Sequence, residues 1–324
     1  MGGDIEREED MTEVNDAEHP TVPSHVRLEL VHAYMQIVAD ACGADILHVK
    51  GAAIHPELSD GRRGSLDVDI LVRPDHVDLL LAEMQERGWK RVTGFEEGSA
   101  FGHAMNLSHP LGMVDLHRKW PGFEVSPEDA FEALWAEREQ HDIADVACTV
   151  PSLPAQRLIL LLHYGRSGGQ RAGDLERGWN EADGATREAL VALSHRFRAD
   201  LALAAATGNL DAYRSDPGYR LWHYFSRGTG GRFEEWWGRW NAAQGAGEKA
   251  RVIRAFLIVN DDLLRAQLGR EPSTRDYVDA YLERLRHAGD DVRRLVTRVG
   301  EGSGRERERR DAGTCTEPSG EGES

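Results

Sequence analysis

The chain has 324 residues, 40% hydrophobic and 29% charged, enough to bury a real core and to make one large domain or two modest ones. Its formal net charge of −17 argues against an extended, sequence-independent grip on nucleic acid, which draws on clustered Lys and Arg, although much of the acidity lies near the two ends. Cys42, Cys148 and Cys315 lie far apart with no C-x-x-C pair, so neither a disulfide framework nor a cysteine zinc site is suggested, and any metal is expected on oxygen ligands.

In chain order, residues 1–23 are acidic and poor in apolar side chains, unlike a signal peptide, and read as a disordered tail. No apolar run approaches the roughly 18 residues of a spanning helix, so a cytoplasmic protein without a membrane partner is expected. "SHVRLELVHAYMQIVADACGA" has helical apolar spacing, with Ser24 as N-cap and Gly43 as stop. "DILHVKGAA" reads as a short strand running into Gly51, "LDVDILV" as a second strand, and "PDHVDLLLAEMQERG" as a helix opened by Pro74 and closed by Gly88. "WKRV", "HAMNLSH" and "GMVDLHRKW" are three further strands between Gly- and Pro-bearing turns. Pro151 and Pro154 mark a change of composition, after which "AQRLILLLHYG", "TREALVALSHRFRADLALAAATG", "KARVIRAFLIVNDDLLRAQLG" and "STRDYVDAYLERLRHAGDDVRRLVTRV" read as helices. The expectation is an α+β domain over 24–150, a helical bundle domain over 151–299 and a disordered, Gly- and Ser-rich tail over 300–324.

Within "LDVDILV", Asp67 and Asp69 are two apart, so on a strand they share one face about 6 to 7 Å apart along the chain. Two like charges held together are unfavourable unless a cation lies between them or one is protonated, and Mg²⁺ is the common ion preferring carboxylate oxygens together with substrate phosphates. The plain alternative is an edge strand whose aspartates face water. Upstream, Lys50 ends a strand and Gly51 and Ala52 open a helical turn whose free N–H groups could meet a triphosphate. Downstream, Asp115 in "MVDLH" supplies a third carboxylate if that strand pairs beside the D-x-D strand.

The order K-G-A, then R-x-x-x-D-x-D-I-L-V-R-P, then a helix ending in G-W, then V-D-L-H resembles the uncharacterised nucleotidyltransferase family of the polymerase-β-like superfamily, from about His48 to about Trp120. The resemblance implies a nucleotidyltransferase-like mixed sheet with flanking helices, followed by a helical domain. It places Asp67, Asp69 and Asp115 as the catalytic, metal-binding acids. Gly51 and Ala52 stand at the phosphate turn, and Arg63 is the basic residue before the acid pair. Ala52 departs from the usual Ser and Leu66 from the usual small residue. Lys50, Arg63, Ser65 and His117 complete the set expected to bind nucleotide or acceptor. The implied reaction transfers an NMP from an NTP to an acceptor hydroxyl with Mg²⁺ (or Mn²⁺), releasing pyrophosphate.

The acceptor itself, whether small molecule, peptide or protein, is not specified by these residues. A rival reading is a regulatory protein of the same fold that binds metal and NTP without turnover. A D-x-D glycosyltransferase is disfavoured by the short span before Asp67, and a nuclease by the K-G-A turn and the acidic surface. His103 and His117 could serve the acceptor or be hydrogen-bonded structural imidazoles. The interruption in "LLHYGRSGGQRAGDLERGW", carrying His163, Arg166, Arg171 and Asp174, could close over a ligand or be a plain helix connection. Trp236, Trp237 and Trp240 could stack on a base but more simply pack a core.

Overall fold

The computed structural model describes residues 22–59, 67–95, 101–257, 264, 268, 270–283, 286 and 289. The two tails read as disordered, apart from residues 22 and 23, lie outside the described residues, as does most of the last expected helix.

Helix α1 (Ser24–Cys42) buries Val31, Met35 and Val38, the face its apolar spacing provides. Pro23 occupies the cap position, so Ser24 is the first helical residue and makes no capping bond. The helix closes at Gly43, which takes the left-handed conformation with φ 74°. Strand β1 (Ile46–His48) leads to a 3₁₀ turn over Gly51–Ala53 and the single-turn helix α2 (Pro56–Ser59). Strand β2 (Val68–Val72) follows, then a 3₁₀ turn (Pro74–His76) that runs into α3 (Val77–Glu86). Strands β3 (Lys90–Thr93), β4 (Ala104–His109) and β5 (Gly112–His117) complete the main sheet.

The sheet order is β1-β2-β5-β4-β3, parallel only between β2 and β5 and antiparallel elsewhere. Strand β2 is therefore interior, and the edge-strand reading is overturned for Asp69, the aspartate the strand carries. Both of its faces are covered. Val68, Ile70 and Val72 join Val114 and Leu116 in a core with α1 and α3. Leu71, with Leu47 and Val49, joins Trp120 in a second core shared with the helices that follow.

Those helices begin with α4 (Pro127–Ala136), capped by Ser126, whose hydroxyl accepts from the Asp129 N–H. The hairpin β6 (Glu139–Ile143) and β7 (Val146–Val150) turns on Ala144 and Asp145 at φ 50° and 61°. It packs beside α1, where the Thr149 N–H donates to Gln36. Next come α5 (Leu153–Gly165), α6 (Ala172–Leu175) with a π-helical turn over Glu176–Asn180, α7 (Gly184–Arg196) and α8 (Asp200–Thr207). Then α9 (Tyr219–Arg227), α10 (Arg232–Ala242) and α11 (Gly245–Leu257) follow. The single helix expected over 186–208 is broken between α7 and α8. Phe197 turns into the core to stack on Phe123 at 4.3 Å between ring centroids, and Arg198 takes φ 53° to allow it. Among the described residues no helix is long and apolar enough to cross a membrane.

Candidate active site

The parallel register sets Asp69 directly opposite Asp115. Side chains alternate along a strand, so Asp69 shares its face with Leu71, and Asp115 shares the neighbouring face with His117. Adjacent strands lie about 4.8 Å apart, which forces the two carboxylates together on the side of the sheet covered by the helices. Asp69, Asp115 and His117 each offer a ligand atom, all within 4.8 Å of one another.

Asp69 is only 1% exposed. Its Oδ1 accepts from Lys50 Nζ at 2.7 Å and lies 2.9 Å from His117 Nε2. Burial by itself pushes the Asp69 carboxyl up, but the Lys50 ammonium and His117 outweigh it and hold the group well below the usual carboxylate range. An ionised Asp69 only accepts, so the His117 Nε2–H is the donor. Burial keeps that imidazole neutral, which leaves Nδ1 as its lone-pair nitrogen. Neither this Nδ1 nor Asp69 Oδ2 has a hydrogen-bond partner among the described residues.

Asp115 lies in the opposite condition. Burial, and then the charges of Asp69 and Asp67, push its carboxyl up to about 7. Asn106, directly across from it on β4, donates Nδ2–H to its Oδ1 and receives the Thr93 hydroxyl on its own Oδ1. The amide is thereby fixed in one orientation.

Asp67 stands at a bend just before β2, half-buried, and its charge reaches Asp115. It is not part of the group whose ligand atoms lie within 4.8 Å, where His117 stands instead. Lys50 is drawn onto Asp69 and lies 5.8 Å from the Trp120 ring centroid. Gly51 takes φ 67°, and the helix expected to open there is only the three-residue 3₁₀ turn, with Ala52 exposed. Arg63 and Ser65 lie outside the described residues.

His103 stands with its ring centroid 5.2 Å from that of His117, and burial, reinforced by the Arg166 charge, holds it deprotonated. Arg166, just past α5, lies 5.9 Å from the Trp120 ring centroid. Burial lowers its guanidinium to about 10 against the pull of Asp69 and Asp115. Asn106 and Trp120 have no place among the residues singled out from sequence. A signal for Asn106 exists: closing the hairpin at His109 and Gly112 sets it across from Asp115. Beyond β5, a cleft of about 490 Å³ opens between the sheet and the later helices, lined by Phe101, Gly102, Arg118, Lys119, Leu221 and Trp222 among others.

No protein-family model matches the chain, and no curated protein matches it. Solved structures similar to it include an antigenic nucleotidyltransferase-like protein from Paracoccidioides brasiliensis, 20% identical, covering 56% of this chain and 92% of that one, with a TM-score of 0.34. The lincosamide antibiotic adenylyltransferase LnuA, bound to lincomycin, is 18% identical over 51% of this chain and 94% of its own, with a TM-score of 0.30. The antibiotic-resistance factor ANT(2'')-Ia is 14% identical over 60% and 94%, with a TM-score of 0.33. Likeness at this level carries no inference about activity.

Proposed function

We propose that the chain is a metal-dependent nucleotidyltransferase that moves an NMP from an NTP to an acceptor hydroxyl. The observation that supports this most directly is Asp69 facing Asp115 across two neighbouring strands, one oxygen of Asp69 buried without a partner among the described residues. Such a pair is costly unless a cation neutralises it. Two carboxylates suit Mg²⁺ or Mn²⁺, with Asp67 completing the oxygen set and His117 supporting Asp69 from behind. When bound, the cation would neutralise phosphate charge and acidify an attacking hydroxyl.

The remaining roles belong to the chain itself. Lys50 keeps Asp69 ionised in a site that would otherwise protonate it. Asn106 aims the Asp115 carboxylate, which is placed to take the hydroxyl proton. The acceptor oxygen bonds to the α-phosphorus as the bond to the β-phosphate breaks, pyrophosphate leaves, and the proton passes to Asp115. The cleft beyond β5, of a size that suits a small molecule or a short peptide, takes the acceptor. The Gly51–Ala53 turn, Arg63 and Ser65 serve the phosphates, and the regions on either side of residue 150 act as the two domains.

Calorimetry should show metal-dependent NTP binding that Asp67→Asn/Asp69→Asn abolishes; unchanged binding in that double variant removes the reading. In wild type, α-labelled NTP supplied with cell extract should release pyrophosphate and leave label on an acceptor. One observation favours binding without turnover: Ala52 gives the phosphate turn no hydroxyl. Wild type that binds the metal–NTP complex but releases no pyrophosphate would establish that alternative.

A further inference from the structure

Two cations flank the buried indole of Trp120: Lys50 at 5.8 Å and Arg166 at 5.9 Å from the ring centroid. They differ in one respect. Lys50 is neutralised by Asp69 at 2.7 Å, whereas Arg166, half-buried, has no ion pair or side-chain hydrogen bond among the described residues. Around it are two further buried nitrogens without a hydrogen-bond partner among the described residues, Trp120 Nε1 and His163 Nδ1, while the nearby His117 Nδ1 carries a lone pair and donates nothing. His163 lies one helical turn before Arg166, and the Arg166 N–H is bonded to its carbonyl. The His117 ring stands 5.0 Å from Trp120. A desolvated guanidinium that feels Asp69 and Asp115 only at a distance and makes no ion pair among the described residues is costly, and a donor such as Trp120 Nε1 left without an acceptor adds to that cost. An oxyanion offering several acceptor oxygens answers both.

The loop that carries Arg166 is also fixed in place. Gly168 and Gly228 meet backbone to backbone at φ 63° and 60°, and a Cβ on Gly168 would lie 2.5 Å from the Gly228 Cα. The end of α5 is therefore pinned to the turn between α9 and α10, which holds the guanidinium ready for a ligand.

We propose that Arg166, with Trp120 and His163 behind it, forms a phosphate-binding subsite that takes the β- and γ-phosphates of a nucleoside triphosphate whose α-phosphate lies at Asp69 and Asp115. This rests on the nucleotidyl-transfer reading and gives the region after α5 the role of anion clamp, while Lys50 serves Asp69. Arginine suits the task because its planar fork binds phosphate through two bonds at once and stays charged even at the lowered value burial imposes.

The test is calorimetric titration of wild type, Arg166→Gln and Arg166→Lys with inorganic tripolyphosphate, ATP, AMP and citrate, in chelator and with Mg²⁺, thermal melts confirming that each variant is folded. Arg166→Gln should bind tripolyphosphate and ATP about 10- to 100-fold more weakly, Arg166→Lys should recover part of the loss, and AMP should bind all three proteins alike. Equal tripolyphosphate binding by wild type and Arg166→Gln overturns the subsite, as does the absence of binding by wild type under either condition. Citrate competing as well as tripolyphosphate would also overturn it, since the site would then be one for carboxylates. An Arg166-dependent tripolyphosphate affinity in a protein that transfers no α-label leaves the subsite standing and removes the transferase reading. Transfer activity with unaltered anion binding in Arg166→Gln does the reverse.

Discussion

Asp115→Asn isolates the electrostatics of the site, because it keeps the shape and the Asn106 hydrogen bond while removing the charge. The folded-state value of about 7 lies roughly three pH units above an ordinary aspartate, equivalent to about 4 kcal/mol, and partial exposure cuts this to about 2 to 3 kcal/mol. For a carboxyl whose value is raised by folding, the native state binds more protons than the unfolded chain between the two values. Stability therefore falls as pH rises from about 4 to about 7 and is level beyond. Urea denaturation in chelator should show Asp115→Asn matching wild type near pH 4.5 and exceeding it by about 2 to 3 kcal/mol at pH 8. Adding Mn²⁺ at about a hundred times its dissociation constant should stabilise wild type by about 2.7 kcal/mol at pH 8, closing the gap. Parallel pH–stability curves for the two proteins would mean that Asp115 does not stand against Asp69 and Asp67, and the parallel β2–β5 register would be wrong.

Three further outcomes are expected. Lys50→Met leaves buried Asp69 with the His117 hydrogen bond but no cation, so unfolding at pH 7 should be easier by about 3 to 5 kcal/mol; the acid loss of stability expected of wild type below about pH 4 should flatten, because Asp69 then has a less depressed value to lose. Asn106→Leu removes a hydrogen bond that favours ionised Asp115, so the pH midpoint for Mn²⁺ binding should move upward in a titration; an unmoved midpoint would deny Asn106 that role. Gly168→Ala adds a Cβ against backbone at a left-handed position, costing about 1 to 3 kcal/mol, and amide hydrogen exchange in residues 166–171 should speed up relative to α5.

Much of the α+β layer was legible from sequence because its signals are local. Gly43 and Gly88 stop helices, and the three strands over 89–120 are bounded by turn residues. The break at Arg198 was not legible, since apolar spacing continues across it and only the stacking of Phe197 on Phe123 demands the kink. Nor does the hairpin over 139–150 advertise itself: its first strand faces water along most of its length. For the site, D-x-D supplies Asp69 and V-D-L-H supplies Asp115, which the sheet sets side by side, while Asp67 precedes the strand. Lys50 and His117 have partners fixed by tertiary contact with Asp69, which no spacing rule reaches, and the position of Arg166 depends on how a loop 51 residues after Asp115 is folded back.

Strand β5 enters the sheet between β2 and β4, so its pairing with β2 spans the 46 residues from Asp69 to Asp115, and the helix and strands between them must be accommodated first. Closing a loop of this size, for a parallel pair that brings two acids face to face, places this step late in folding. A cation that bridges the pair then finds no site in the unfolded chain and little of one in the folding transition state. It should act on the rate of leaving the native state: millimolar Mn²⁺ should slow unfolding in a stopped-flow experiment and leave the refolding limb where it was.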